Sequence, residues 1–510
     1  MRRKLVALMC LAAIAAVIGC SGTSMPNTGP DASALAKAGA SGGKIQHIVV
    51  IVQENRTFDN FFDCFKGTDC VKTAPGSGAR PGLYTSASPC PVLNTPTPGP
   101  SPTPIKVKFH QPLVVFDPGH TYCPSFKTEY DNGQMDGFSY VDGLPPDVKK
   151  NYVIRVTDPS EIKPYWAMAQ QYVLGDRMFP TEFSASYTAH QTLIRGDATY
   201  QTGESLIDLP NDGPLNYWGC DAPAGTTTPL LNTTQQYTVG GPFPCMTYET
   251  VRDTLEAKGV SWRYYAPIFP TQGGQMWNAF DGISAVRYSN EWPNGGKSRK
   301  PFTCPSTANC VSWPNTNVFC DISGTVGTKV CPTPNPSGNV ELPAVSWVIP
   351  TGEESDHYNP VSSKSGKIID TGPDWVSSVV NAVGESKYWN STAIIITWDD
   401  WGGFWDHVSP PQMDYRGLGF RVPLIIVSPY AKKGYVSHTQ YEFGSILKFM
   451  ETTFGLASLN TTDLRANNLT DAFDFSRKPR AFVPIPSQTT GHDRKYFMAL
   501  PPSHSAPDSE

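Results

Sequence analysis

Three short runs of the chain consist of apolar residues alone, and a fourth is interrupted by one serine. Runs of this length, rich in Ile and Val, are typical of strands that are buried on both faces of a sheet. The pattern favours a parallel sheet that is covered by helices. The runs are residues 48–52, 345–349, 393–396 and 423–427.

Three other segments carry apolar residues at the three- and four-residue spacing of a helix, and we interpret each as a face that packs on the core. They are residues 165–172, 375–383 and 443–454. Pro373 and Asp374 are typical of the start of the second helix, and Gly455 of the end of the third. Strands that alternate with helices predict an α/β fold.

Several long stretches show neither pattern. Residues 204–248 and 289–340 are rich in Pro, Gly, Asn, Thr and Cys, and we interpret them as insertions that lie over the core. Residues 91–104 contain too much proline for a helix or a central strand and predict an exposed loop. One catalytic domain is therefore expected over residues 44–490, followed by a C-terminal tail over 491–510.

The first twenty residues have the pattern of an export signal. Arg2, Arg3 and Lys4 precede an apolar run over 5–18, and the segment ends at Cys20. It resembles a bacterial lipoprotein signal peptide, in which the cysteine is lipidated and becomes the first mature residue. An ordinary secretory leader that is cut nearby is the alternative.

Both alternatives predict an exported protein, either a lipoprotein of the cell envelope or a periplasmic or secreted protein. Residues 21–43, rich in Ser, Gly and Ala, predict a flexible tether. No later run reaches the length needed to span a bilayer. The lipid on Cys20 is therefore the expected membrane attachment.

Ten cysteines follow the leader, and an even number in an exported chain predicts up to five disulfide bonds. All ten precede residue 332, so the bonds are expected to staple loops and insertions. The short spacings do not match zinc-binding pairs. The sequence leaves the pairing open. The ten are Cys64, Cys70, Cys90, Cys123, Cys220, Cys245, Cys304, Cys310, Cys320 and Cys331.

The composition narrows the possible partners. Of 510 residues, 39% are apolar and 11% aromatic, which suffices for a large folded core. The 40 Lys and Arg residues against 45 Asp and Glu residues give a formal net charge of −5, and no basic block follows the leader. A nucleic-acid partner is therefore not expected.

Oxygen-bearing side chains follow two of the predicted strands directly. Glu54 and Asn55 come after the first run, and Asp399 and Asp400 come shortly after the run 393–396. Ligands of open α/β sheets bind at the carboxyl ends of the strands, and carboxylate and amide oxygens suit a hard divalent cation. The alternative is that each pair caps the turn that follows it.

Three blocks of sequence, residues 48–62, 397–408 and 419–430, closely resemble the bacterial phosphoesterase family, which contains phospholipases C and secreted acid phosphatases. The resemblance covers most of residues 44–475 and is interrupted by the insertions. It implies the alkaline-phosphatase-like fold, a three-layer α/β/α sandwich, here with disulfide-stapled insertions. It also implies one divalent metal ion, of unknown identity, and a hydroxyl nucleophile that attacks a phosphate ester.

The resemblance assigns Glu54, Asn55, Asp399 and Asp400 as metal ligands, together with the nucleophile. Counted back from Gly196, Ser186 occupies the position of the family's nucleophile. The surrounding residues depart from the family's usual pattern, so Ser184 and Thr188 remain alternatives. Ser186 also precedes a predicted helix over 189–194, whose free amides would favour a phosphoryl group.

Histidine is the usual proton donor to a leaving alcohol. His120 and His357 match family histidines near the site, although a lone histidine is often a structural residue. His407 and His438 lie in matching blocks as well and are weaker candidates. Some acid phosphatases of the family take further histidines from the mid-chain insertion. His190 is the only histidine here between residues 121 and 356, so that contact is expected to be missing.

The sequence thus predicts an exported, metal-dependent phosphoric ester hydrolase with a serine nucleophile. The phospholipases C of the family tend to carry extra β-rich domains after the catalytic one, whereas only a short segment follows Phe475 here. An acid-phosphatase-type phosphomonoesterase is therefore expected first. A phospholipase C that cleaves phospholipid phosphodiesters is the alternative. A lipoprotein that binds ligand without catalysis is a third hypothesis, but it would be expected to lose the nucleophile or a metal ligand. The oligomeric state is open.

Overall fold

The four apolar runs form strands of one nine-stranded sheet, in the order β12-β11-β13-β1-β14-β15-β6-β16, with β17 also paired to β6. Numbered along the chain, the strands are β1 (His47–Gln53), β2 (Thr73–Pro75), β3 (Pro104–Lys106), β4 (Phe109–Gln111), β5 (Val156–Thr157), β6 (Val173–Phe179), β7 (Thr199–Gln201), β8 (Glu204–Leu206), β9 (Leu230–Asn232), β10 (Tyr237–Thr238), β11 (Trp262–Tyr265), β12 (Cys310–Ser312), β13 (Val345–Val348), β14 (Thr392–Trp398), β15 (Val422–Val427), β16 (Tyr435–Ser437) and β17 (Tyr441–Glu442).

The structure is a computed structural model, and it describes a defined part of the chain. All described residues belong to one unit, Gly39–Glu510. The leader, residues 21–41 of the predicted tether, residues 91–103 of the proline-rich loop and residues 501–510 of the tail lie outside it. The described residues are 42–75, 104–107, 109–113, 115–141, 152–211, 218–267, 277–292, 304, 309–324, 331, 340–358 and 371–500.

The sheet is mixed rather than wholly parallel. Strands β12, β11, β13, β1 and β14 run parallel to their neighbours. Strand β15 pairs antiparallel with both β14 and β6, so the prediction of a parallel strand at 423–427 is wrong. A continuous apolar run reports burial on both faces, and a central strand has that burial whichever way it runs.

Two groups of helices cover the sheet, as predicted for a three-layer α/β/α fold. Helix α8 contacts α3, α7 and α10, while α4 contacts α5 and α9. The predicted helices at 165–172, 375–383 and 443–454 are confirmed as α3, α8 and α9. The helices are α1 (Phe58–Phe62), α2 (Lys127–Tyr130), α3 (Lys163–Gln171), α4 (Ser186–Arg195), α5 (Val251–Ala257), α6 (Ser284–Arg287), α7 (Asn317–Ser323), α8 (Gly372–Gly384), α9 (Phe443–Phe454) and α10 (Arg494–Ala499).

The two predicted insertions differ in structure. The first contains β8, β9 and β10, which join β7 in a separate four-stranded antiparallel sheet. The second contributes β12 to the edge of the main sheet and α7 to a helix layer. The interpretation of 289–340 as a segment that merely overlies the core is therefore wrong for these two elements. Within the predicted tail, Phe497 of α10 packs edge-on against Trp375 of α8.

The prediction of disulfide bonds is confirmed for the described cysteines. Four bonds join Cys64 to Cys70, Cys220 to Cys245, Cys304 to Cys310 and Cys320 to Cys331. Cys123 is disulfide-bonded as well, and Cys90 lies outside the described residues. Each of the four closes a short loop, so the bonds fasten local segments rather than distant elements. None of the helices in the described ranges is both long and apolar enough to cross a membrane.

Candidate active site

The two predicted ligand pairs meet at one edge of the sheet. Strands β1 and β14 are parallel neighbours, with Gln53 opposite Trp398. Their carboxyl ends therefore deliver Glu54 and Asn55 next to Asp399 and Asp400, and all four side chains are fully buried. The backbone N–H of Asn55 donates to Oδ1 of Asp399 at 3.2 Å and links the two turns.

These two turns pack so closely that the backbone conformations of Asn55 and Gly402 are restricted. Asn55 has a φ of +62°, a left-handed conformation that Asn tolerates better than most residues. Gly402 faces it with a φ of +57°, and a Cβ at that position would lie 2.5 Å from the carbonyl oxygen of Asn55. Any side chain at position 402 would therefore displace Asn55 from the site.

Ser186 is the first residue of α4, which begins three residues earlier than the predicted helix. Its hydroxyl is buried and donates to Oδ2 of Asp400 at 3.2 Å. The other oxygen of Asp400, Oδ1, accepts from the backbone N–H of Gly402 at 2.8 Å. The structure thus brings the predicted nucleophile to the predicted ligands of β14.

The hydroxyls of Ser184 and Thr188 have other partners. Ser184 Oγ accepts from the backbone N–H of Asp208 at 2.9 Å. Thr188 Oγ1 donates to the backbone carbonyl of the same residue, also at 2.9 Å. Both therefore hold the backbone of Asp208, which has a φ of +57°. This geometry favours Ser186 among the three candidates.

Hydrogen bonds leave particular oxygens of the ligand pairs without a partner. The amide Nδ2 of Asn55 donates to Asp117 at 3.3 Å and to Nε2 of His120 at 3.2 Å. Within the described part of the chain, Oδ1 of Asn55 and Oδ2 of Asp399 are buried and have no hydrogen-bond partner. Burying an unpaired carboxylate oxygen is costly, and a divalent cation would satisfy both atoms. The residues present therefore fit the predicted metal.

One residue that the sequence analysis did not assign, His190, lies against this group. Its Nε2 is 3.0 Å from Oε1 of Glu54 and 3.8 Å from Oδ2 of Asp399. One ligand atom from each of these three residues lies within 4.8 Å of the other two. The spacing could have revealed it, because His190 follows Ser186 by four residues and so shares its face of the helix.

His120 and His357 differ in what their ring nitrogens contact. His120 donates from Nδ1 to the carbonyl of Pro118 at 2.7 Å and accepts from Asn55 at Nε2. His357 donates from Nδ1 to the carbonyl of Tyr358 at 2.9 Å, and its buried Nε2 has no hydrogen-bond partner among the described residues. His120 is therefore engaged in holding Asn55, while Nε2 of His357 is available to a substrate.

Asp117 connects His357 to the ligand pair that follows β1. It forms an ion pair with buried Arg56 at 2.7 Å and lies 3.6 Å from Nδ1 of His357. Its Oδ2 also accepts from the backbone N–H of Tyr358 at 3.0 Å. One carboxylate thus holds Asn55, Arg56 and the His357 segment in place. The sequence analysis did not single it out, since a single Asp in a loop has many ordinary roles.

Burial changes the protonation of two carboxyl groups nearby. Burial raises the pKa of Glu129 well above its ordinary value, against a hydrogen bond from Trp401 and the field of His120. Burial also raises the pKa of Asp356 to about 7, although Arg56, Tyr165 and Trp398 partly oppose it. Both groups therefore hold their protons to higher pH than an exposed carboxyl does, which reduces the negative charge around an anionic substrate.

His407 and His438 belong to other networks. Nδ1 of His407 is 2.7 Å from Asp59, which also pairs with buried Arg421 at 2.9 Å. The side chain of His438 is 61% exposed and pairs with Asp176. Because Arg421 already neutralises the first cluster, we interpret it as structural support beneath the site.

Comparisons with known proteins identify the family of the chain. The model of the Phosphoesterase family matches residues 45–457. The chain belongs to the Phosphoesterase family. The match spans β1 through α9 and therefore includes every residue of the candidate site.

Curated relatives of this Phosphoesterase family member are named phospholipases. The chain is 23% identical over 478 residues to the non-hemolytic phospholipase C of Pseudomonas aeruginosa, covering 85% of this chain and 57% of that protein. It is 30% identical over 174 residues to phospholipase C B of Mycobacterium tuberculosis, covering 29% of this chain and 32% of that protein. The chain thus spans about half, or less, of the length of the curated relatives it matches.

Solved structures give a more distant likeness. A protein in the alkaline phosphatase superfamily from Vibrio parahaemolyticus is 10% identical, covers 60% of this chain and 67% of its own, and has a TM-score of 0.31. The phosphonate monoester hydrolase of Silicibacter pomeroyi is also 10% identical, covers 63% and 73%, and has a TM-score of 0.29.

Proposed function

We propose that this protein is a metal-dependent phosphoric ester hydrolase in which Ser186 is the nucleophile. The observation that carries the proposal is the contact of Ser186 Oγ with Asp400 beside oxygens of Asn55 and Asp399 that lack partners. Membership of the Phosphoesterase family supports the reaction class. Because the nucleophile and all four predicted ligands are retained, a non-catalytic binding protein is disfavoured.

Glu54, Asn55, Asp399 and Asp400, together with Ser186, would hold one divalent cation. Such an ion supplies electrostatic stabilisation of the negative charge that develops on the nucleophile and the phosphoryl oxygens. The protein's own part is to fix these groups before substrate arrives. The hydrogen bonds from Asn55 N–H to Asp399 and from Gly402 N–H to Asp400 do so.

The Ser186 hydroxyl gives up its proton along its hydrogen bond to Asp400 as its oxygen attacks phosphorus and the bond to the leaving oxygen breaks, which leaves a phosphoserine that water then hydrolyses. Asp400 accepts the hydrogen bond of the Ser186 hydroxyl and orients its oxygen. Ala185, the N-cap of α4, makes no side-chain cap, and the positive end of the helix dipole at Ser186 would favour a phosphoryl group. We assign His357, with a proton on Nε2 as well as on Nδ1, as the donor of a proton to the leaving alcohol, and His120 as the residue that positions Asn55.

Two substrate classes are candidates. Phosphomonoesters of the acid-phosphatase type are the class that the sequence predicts first. Phospholipid phosphodiesters are the second candidate, and a specific observation favours them: curated relatives from Pseudomonas aeruginosa and Mycobacterium tuberculosis are phospholipases C by name. The ester that is cleaved fastest distinguishes the two.

The test compares p-nitrophenyl phosphate with p-nitrophenylphosphorylcholine on the purified protein, with and without a chelator. Hydrolysis of either ester that stops with chelator and returns with added metal supports the proposal. Cleavage of the first ester alone identifies a phosphomonoesterase, and cleavage of the second a phosphodiesterase. A protein that binds one equivalent of metal and hydrolyses neither ester contradicts the proposed activity.

We also propose that the protein is exported and held at the cell envelope through a lipid on Cys20, with residues 1–20 as signal peptide and 21–43 as tether. The disulfide bonds of the described cysteines support an oxidising compartment. Labelling with a radioactive fatty acid tests the anchor. A Cys20→Ala variant that still carries the label would contradict it.

A further inference from the structure

His190 lies between the two strands that supply the predicted metal ligands. Its Nε2 is 3.0 Å from Oε1 of Glu54, which follows β1, and 3.8 Å from Oδ2 of Asp399, which follows β14. The side chain is 2% exposed. This imidazole therefore faces the position that both carboxylates share.

The distances have the size that ligands of one ion require. Nitrogen and oxygen ligands of a transition metal lie roughly 2.0–2.2 Å from the ion, which places two neighbouring ligand atoms roughly 3 to 3.5 Å apart. The 3.0 Å separation of His190 and Glu54 fits this range, and the 3.8 Å separation from Asp399 is slightly longer. Oδ2 of Asp399, the atom nearest to His190, is one of the two buried oxygens without a hydrogen-bond partner.

The fold also explains how the imidazole reaches this position. His190 follows Ser186 by one helical turn, and α4 is fully buried along this face. A helix places residues four apart on one side, so the contact of Ser186 with Asp400 directs His190 towards the carboxylates of Glu54 and Asp399. The serine and the histidine therefore approach the same centre as one rigid unit.

We infer that His190 is a direct nitrogen ligand of the metal, so that the centre combines an imidazole with the oxygens of Glu54, Asn55 and Asp399. This inference rests on the proposed metal site and adds a ligand that neither the sequence nor the family resemblance assigned. Oxygen-only sites suit Mg²⁺ and Ca²⁺, whereas imidazole suits Zn²⁺ and the later transition metals. The centre should therefore prefer Zn²⁺, Co²⁺ or Fe²⁺ to Mg²⁺ and Ca²⁺.

A spectroscopic test detects the ligand without use of enzymatic activity. The intact protein is stripped with a chelator, loaded with one equivalent of Mn²⁺, and examined by electron spin echo envelope modulation. A coordinated imidazole gives a ¹⁴N modulation. It should be present in the wild type, absent in His190→Gln, and retained in His438→Gln, whose histidine is exposed and pairs with Asp176. The ratio of the Zn²⁺ and Mg²⁺ dissociation constants should shift by at least roughly tenfold in His190→Gln alone.

Each outcome decides the question. One bound Mn²⁺ without ¹⁴N modulation, or modulation that persists in His190→Gln and disappears in His120→Gln, overturns the inference and leaves the metal site intact. A wild type that binds no metal overturns the metal site itself. If His190→Gln does not fold, loss of the ¹⁴N signal on ¹⁵N-histidine labelling, with the signal retained in His120→Gln and His357→Gln, supports His190 by elimination. Loss of the ¹⁴N signal in His120→Gln or in His357→Gln contradicts the assignment of His190 as the ligand.

Discussion

Oγ of Ser186 lies 3.2 Å from Oδ2 of Asp400, although the two residues are 214 positions apart in the chain. The contact joins the first turn of α4 to the carboxyl end of β14. Since Asp400 is held in turn by the amide of Gly402, the hydroxyl is oriented by a rigid turn. An oriented hydroxyl beside a predicted cation site is the arrangement that a phosphoryl-transfer nucleophile needs.

Ser186→Ala should reduce kcat for either p-nitrophenyl ester by at least roughly a thousandfold, since the nucleophile is lost. Metal stoichiometry should fall less than in Asp399→Ala, because the carboxylates remain. Ser184→Ala and Thr188→Ala are the matched controls. Each removes a hydrogen bond to the backbone of Asp208. Each should therefore lower the melting temperature and leave kcat close to that of the wild type. The assignment is wrong if Ser186→Ala keeps near-normal turnover and one of the controls loses it.

The sequence predicted the ligand pairs because both directly follow strong strands. Glu54 and Asp399 inherit their positions from β1 and β14, whose apolar runs are unambiguous, and neighbouring parallel strands end at one edge. The direction of β15 could not be predicted in the same way. An apolar run reports only burial, and direction depends on the connection between β14 and β15.

Other elements were missed because polar residues interrupt their patterns. Strand β6 contains Asp176 and Arg177, and β11 contains Arg263, so neither is a continuous apolar run. Arg263 is buried because it forms an ion pair with Asp321 of α7, a partner that only the fold provides. The spacing of His190 from Ser186 could have placed both on one face of α4, but the contacts of His190 with Glu54 and Asp399 depend on which face meets the sheet.

Asp117→Asn should destabilise the protein by about 3 kcal/mol, because it leaves the fully buried guanidinium of Arg56 without its carboxylate. Urea unfolding monitored by circular dichroism measures the loss. The control is Lys387→Gln, which breaks an exposed ion pair with Glu341 and should produce no measurable change. Equal stability of Asp117→Asn and the wild type would show that Arg56 does not depend on this ion pair.

Glu182 should make stability depend on pH. Burial raises the pKa of Glu182 to about 7, although Arg416 partly opposes the shift. Between its ordinary pKa and 7, the folded protein keeps a proton that the unfolded chain releases, so the free energy of unfolding falls as the pH rises through this window. Glu182→Gln cannot titrate. Between pH 4.5 and pH 7.5 the free energy of unfolding of the wild type should therefore fall by up to about 3 kcal/mol relative to that of the variant. Urea unfolding at each pH measures this difference. If the difference in free energy of unfolding between the two proteins does not change with pH, the raised pKa of Glu182 is contradicted.

The double variant Cys220→Ser/Cys245→Ser should lower the free energy of unfolding by about 3 kcal/mol, since the bond closes a loop of 25 residues. Neither cysteine belongs to the predicted site, so kcat and metal content should remain those of the wild type at temperatures where the variant is folded. Thermal unfolding and metal analysis measure the two effects. Loss of metal in a folded variant would place this loop in the site.

The nitrogen contacts of His120 and His357 predict different kinetic effects. Nε2 of His357 has no hydrogen-bond partner among the described residues, whereas Nε2 of His120 accepts from Asn55. A proton donor matters most when the leaving alcohol is a poor leaving group. A residue that holds a metal ligand should matter equally for every leaving group. The ratio of the kcat/KM values for two substrates with different leaving groups therefore distinguishes a proton donor from a residue that holds a metal ligand.

His357→Gln should reduce kcat/KM for an alkyl phosphate ester by roughly 10²- to 10⁴-fold, but for the corresponding p-nitrophenyl ester by much less, because p-nitrophenolate leaves without a proton. His120→Gln should reduce both values by the same factor, since Asn55 loses the acceptor that holds its amide. Steady-state kinetics on the two esters, with metal content measured for each variant, checks both expectations. Equal losses for the two esters in His357→Gln, with the leaving-group dependence found in His120→Gln instead, would exchange the two assignments and make His120 the proton donor.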